Sequence, residues 1–168
     1  MTLPAKTPRR RALACLALVS VGWGLGLQQV RAQGKETFLP TPTSLRAAAL
    51  VAQSKSEPLV LLVSLPGCPW CELLRRNYLA PMRLDGLQAY QITVNDRSLV
   101  VTDFRNQANH GAGIAEAFQA KLTPTVLFLG ADGTELAPRI EGVASVDLVG
   151  ALLDARLLAA RAALRAGR

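Results

Sequence analysis

The chain has 168 residues, with 19 Lys and Arg against 12 Asp and Glu, a formal charge of +7, and three cysteines. Five of the basic residues fall in positions 1–32, where no acidic residue occurs, which leaves 14 against 12 and a balance of +2 from Gln33 onward. That balance removes the case for a nucleic-acid partner, and so few cysteines exclude a small scaffold stapled by several disulfides.

Lys6, Arg9, Arg10 and Arg11 precede an apolar run from Ala12 to Leu27, and Val30-Arg31-Ala32 follows with the small or permissive residues that a signal peptidase reads. The run is 16 residues long, short of the ~20 that a spanning helix needs. Residues 1–32 are therefore expected to be a signal peptide cleaved after Ala32, with an uncleaved membrane anchor as the alternative. Cys15 lies inside this segment. Residues 33–168 suit a single domain able to bury its own core.

Residues 33–43, with Pro40 and Pro42, read as a lead-in without periodicity. Ser44 is placed to cap a helix running to about Gln53, because Leu45, Ala48, Ala49 and Ala52 share one face. Leu59 to Leu65 is apolar on both faces, the pattern of a central strand covered by helices on each side. After Pro66-Gly67 a helix is expected from the cysteines to about Leu79, ended by Pro81. Ala89 to Val94 alternates like a strand, and between Asn95 and Gly113 periodicity fails, so an irregular insertion is expected there. Ile114 to Lys121 reads as a short helix and Thr125 to Leu129 as a strand. The turn residues Gly130-Ala131-Asp132-Gly133 should return Glu135 to Glu141 as an antiparallel partner, which Pro138 places at a sheet edge. From Ser145 onward, Val149, Leu152, Leu153, Leu157 and Ala160 recur at the spacing of a long helix that packs on the sheet.

Cys68-Pro69-Trp70-Cys71 sits where the buried strand gives way to a helix. Two cysteines three positions apart close a tiny loop and constrain the unfolded chain little, so the pair is free for chemistry. With Cys68 at the helix start, Pro69 takes the first helical position at no cost in hydrogen bonds. The free N–H groups and positive dipole end favour a thiolate at Cys68. Cys68 is then the nucleophile, and Cys71, one turn further in, resolves the mixed disulfide. Trp70 is expected to stand exposed at the helix start, offering an apolar contact.

This order of elements resembles the thioredoxin-fold superfamily. Pro66-Gly67-Cys68-Pro69-Trp70-Cys71 after the buried strand and Thr123-Pro124-Thr125 before the hairpin carry the resemblance, which covers nearly all of residues 33–168. It implies an α/β thioredoxin-like fold, with a central mixed β-sheet flanked by helices. It also implies that Pro124 is the cis-proline beside the active-site cysteines, with Thr123 presenting backbone groups to an extended substrate, and that Gly142 ends the last strand near the active site. The buried acidic residue that many thioredoxins carry six positions before the first cysteine is Leu62 here. Proton transfer at Cys71 then falls to water or another side chain, with Glu72 and Glu57 as candidates. The length leaves no room for the dimerisation domain of periplasmic disulfide isomerases, so a monomer is expected. Glu141-Gly142-Val143 replaces the paired glycines that hold glutathione in glutaredoxins.

The resulting expectation is an exported thiol:disulfide oxidoreductase that reduces protein disulfides and is kept reduced by a membrane thiol donor. It needs no cofactor beyond the redox-active Cys68-Cys71 disulfide. Richness in Ala, Arg and Leu points to a bacterial chain of high genomic GC, and so to the periplasm. Two alternatives stand beside it. One is a copper or zinc carrier using both thiolates and His110, although copper-delivery proteins of this fold generally space their cysteines by three. The other is a redox-inactive binding module with the cysteines permanently paired.

Overall fold

The structure, a computed structural model, describes residues 39–167. The signal-peptide reading of residues 1–32, and Cys15 with it, falls outside the described residues.

Helix α1 (Leu45–Ser54) starts where its sequence places it, with Ser44 Oγ accepting the N–H of Ala47 at 3.2 Å. Strand β1 (Leu59–Ser64) follows, buried along its whole length. Helix α2 (Pro69–Leu74) runs into a π-helical turn over Arg75–Leu79, and α3 (Ala80–Leu84) continues the same helical path. Pro81 therefore does not end the helix, as expected from sequence. It lies in the first turn of α3, and the wider π-turn ends at Leu79, two positions before this residue that lacks an N–H.

Strand β2 (Ala89–Thr93) pairs parallel with β1, placing Leu62 opposite Gln91 and Ser64 opposite Thr93. The supposedly irregular stretch after it contains a small hairpin, β3 (Val100–Thr102) with β4 (Ala108–His110). Helix α4 (Gly111–Ala117) begins three residues before the expected start. His110 caps it, its Nδ1 accepting the N–H of Gly113 at 3.0 Å. Strand β5 (Thr125–Leu129) pairs antiparallel with β1 and, on its other side, with β6 (Ile140–Glu141). The hairpin partner expected over Glu135–Glu141 is a regular strand only at its end. A bridge from Leu129 to Glu135 and the bond from Leu136 N–H to the Phe128 carbonyl, at 2.8 Å, hold the rest, and Pro138 interrupts the ladder between them. Helix α5 (Val146–Ala166) closes the fold.

The four-stranded sheet has the order β2-β1-β5-β6 and is mixed. Val60 and Leu62 of β1 share a cluster with Leu74, Leu79, Ala80, Val149 and Leu153, so α2, the π-turn, α3 and α5 cover one face. Leu59, Leu61 and Val63 meet Leu45, Ala49 and Ile114, so α1 and α4 cover the other. The double-sided apolarity of β1 is thus spent on two separate clusters, and each fully buried Leu or Val contributes roughly 1.5–3 kcal/mol relative to exposure. The outer side of β2 meets the lead-in, where the Pro40 carbonyl accepts the Gln91 N–H at 3.0 Å and Leu39 is fully buried.

Candidate active site

Sheet register collects four segments at one rim. Parallel pairing brings the ends of β1 and β2 together, Ser64 beside Thr93. Antiparallel pairing puts the start of β5 there too, with Thr125 opposite Val63, and Thr125 opposite Glu141 adds the end of β6. The loops Leu65–Cys68, Leu122–Pro124 and Gly142–Val143 therefore leave the sheet on the same side.

Gly67 has φ +76°, a left-handed turn that a side chain resists. The turn lets the Cys68 N–H reach back to the Leu65 carbonyl at 3.2 Å. Cys68 is the N-cap of α2, in extended conformation, and its Sγ accepts the N–H of Cys71 at 3.2 Å. Pro69 occupies the first helical turn, and the Glu72 N–H closes that turn on the Cys68 carbonyl at 3.1 Å. Cys68 and Cys71 form a disulfide with Cα atoms 5.3 Å apart. The two sulfurs are not equivalent: Cys68 is half-buried, whereas Cys71 has no exposed surface. Trp70 is 44% exposed, and Leu65 and Leu122 are exposed on the neighbouring loops.

The Thr123–Pro124 peptide is cis. Pro124 is buried and Thr123 half-buried, and the Pro124 carbonyl accepts the Gly142 N–H at 2.7 Å. Gly142 has φ +68°. A bond from Thr125 Oγ1 to the Leu122 carbonyl, at 2.7 Å, turns the chain before β5. Residues named from sequence at 68–71 and at 123–124 thus share one rim with Gly142.

Two other candidates separate. Glu57 lies before β1, at the opposite rim, and accepts both Arg161 contacts, at 2.8 and 3.0 Å. It is no candidate for proton transfer at Cys71. Glu72 stays beside the site, where the hydrogen bond from Arg75 holds its carboxyl below the usual range, with further attraction from Arg75 and Arg76 outweighing modest desolvation. His110 is engaged as the cap of α4. Among the described residues no three His, Cys, Asp or Glu side chains converge on a common point.

Sequence reasoning missed the polar contacts of Arg75, whose backbone N–H donates to the Cys71 carbonyl one helical turn back. Arg75 Nε donates to Gln91 Oε1 at 2.6 Å, Nη2 to Ser64 Oγ at 3.4 Å, and Nη1 to Glu72. The available signal was a glutamine at the centre of a strand and an arginine four residues after the second cysteine, on its helix face.

Residues 45–156 match the model of a thioredoxin-like domain. Among solved structures, a thioredoxin-fold protein from Helicobacter pylori is similar at 14% identity and TM-score 0.47, over 79% of this chain and 93% of that one. Thioredoxin NaTrxh from Nicotiana alata is similar at 14% identity and TM-score 0.46, over 70% and 95%. Thioredoxin O2 from Arabidopsis thaliana, in its oxidised state, is similar at 15% identity and TM-score 0.45, again over 70% and 95%. No curated protein matches the chain. A family match over two thirds of the sequence, with a CxxC disulfide at the head of a helix, is the arrangement of a thiol oxidoreductase, and the chain belongs to the thioredoxin-like domain family.

Proposed function

We propose that the protein is an exported thiol:disulfide oxidoreductase that reduces protein disulfides in the periplasm and is returned to the dithiol by a membrane thiol donor. The observation that carries the reading is the asymmetry of the pair. Cys68 caps a helix and reaches the surface, while Cys71 lies one turn deeper with no exposure. A sulfur at a helix N-terminus is favoured as thiolate and attacks first. The Cys68 thiolate attacks a partner disulfide and expels one partner thiolate. Cys71 then attacks Cys68 Sγ, forms the intramolecular disulfide and releases the second partner thiolate. The cycle calls for no cofactor other than this disulfide.

Trp70, Leu65 and Leu122 offer apolar contacts around Cys68, and the Thr123–Pro124 segment is the place where an extended substrate strand would lie. Pro69 supports the helix start from which Cys68 acts. The protein works in this reading as a monomer.

The test is a trap. Cys71→Ala, expressed with its export segment, should accumulate mixed disulfides through Cys68 with periplasmic proteins, released by added dithiol, while Cys68→Ala traps none. Recovery of no partner by Cys71→Ala, together with failure of the wild-type dithiol to reduce a model protein disulfide, would refute the proposal.

A further inference from the structure

Cys71 must lose its proton to act, yet it is fully buried, and an apolar site disfavours an ionised thiol. Leu62, also fully buried, supplies no charge. Arg75 stands one turn along the same helix face, its backbone N–H donating to the Cys71 carbonyl. Residues so spaced lie about 5–6 Å apart between Cβ atoms. The Arg75 side chain is only 12% exposed. It is pinned on three sides, by Gln91 of β2, by Ser64 at the end of β1, and by Glu72 of its own helix. Ser64 Oγ is itself fixed by donating to the Ile92 carbonyl at 3.3 Å.

The charged groups in contact with this guanidinium or its partner carboxylate are Glu72 and Arg76, both from the helix; β1 and β2 contribute only the neutral Ser64 and Gln91. Arg76 Nε also donates to Glu72, at 3.1 Å, so one carboxylate is shared between two cations. Glu72 and Arg76 are 45% and 66% exposed, where solvent screens them. The member of the group that is withdrawn from water is the cation.

We propose that Arg75 is a positioning residue for the redox cycle, holding a fixed positive charge beside the Cys71 turn that stabilises the Cys71 thiolate as it resolves the mixed disulfide. The inference rests on the roles given above to Cys68 and Cys71. In the step concerned, Cys71 first gives its proton to water. Its thiolate forms the bond to Cys68 Sγ, the bond from Cys68 to the partner breaks, and the partner leaves with the electron pair and is protonated by water. Two electrons pass from the Cys68-Cys71 dithiol to the partner disulfide over the full cycle.

Reaction of the reduced, full-length domain with one equivalent of dithiobis(nitrobenzoic acid) separates the two sulfurs. Attack by Cys68 releases a first coloured thiolate, and attack by Cys71 on the resulting mixed disulfide releases a second. In Arg75→Met the first release should stay within about twofold of wild type, while the second slows about tenfold at neutral pH and its pH midpoint rises by about one unit. Arg75→Lys should restore most of that midpoint. If Arg75→Met does not fold, Gln91→Ala, which frees the guanidinium without removing its charge, is measured in the same way. An upward shift of the second midpoint supports the proposal, and an unchanged midpoint in whichever of these two variants folds overturns it. A wild-type protein whose Cys68 releases no first thiolate would instead refute the oxidoreductase reading itself.

Discussion

Gly111 shows how a single residue sets the geometry of the rim. It falls in the stretch without sequence periodicity, yet it is buried at the first position of α4, and a Cβ placed there would collide with the Thr93 carbonyl at the end of β2. The absent side chain lets the helix start close against the sheet. Gly111→Ala should therefore destabilise the fold by about 1–3 kcal/mol through overpacking, measured as a lower urea midpoint with unchanged slope; an unchanged midpoint would show that the helix start shifts freely. At this scale the pairing of Cys68 with Cys71 and the place of Pro69 in the first helical turn were legible from residue type and spacing, whereas the cis bond before Pro124 could be expected only from the family resemblance. Arg75 was not legible. In sequence it belongs to a run of charges, Glu72, Arg75 and Arg76, that reads as a solvated face, and it is the positions of Gln91 and Ser64 on the paired strands that draw its guanidinium inward.

Elements with strong periodicity or a definite cap were legible, and those held by contacts distant in sequence were not. The first turn of α1 follows directly from Ser44 ahead of an apolar stripe. Replacing its hydroxyl in Ser44→Ala leaves the Ala47 N–H without its partner and should cost about 1 kcal/mol, read from thermal or urea unfolding; a loss of stability too small to measure would show that water serves as well. The hairpin β3–β4 escaped because each strand has only three residues, and β4 consists of Ala108, Asn109 and His110, poor strand formers in isolation. It is secured from outside, by a bridge between Ser44 and Thr102 and a bond from Thr102 N–H to the Thr43 carbonyl at 2.9 Å. The π-turn was equally hidden, since Pro81 in sequence signals an end and not a widening.

Across the whole domain, the layered α/β order could be read from the alternation of patterns, and the apolar character of β1 on both faces foretold the two clusters it separates. The lead-in escaped, because an extended segment with two prolines has no periodicity, and its place is decided by what it covers. Pro40 donates no hydrogen bond of its own, but its carbonyl takes the outward N–H of Gln91, so the last strand on that side of the sheet is shielded by a segment that cannot itself be extended into a ladder. An unshielded strand is a template for another molecule's backbone. A chain beginning at Ser44 should accordingly self-associate in size-exclusion chromatography, where one beginning at Gln33 elutes as a monomer; equal elution would show that the shield is dispensable. Leu39 and Pro40 would then serve as more than a spacer: until they have docked, each new copy is a hazard to the next.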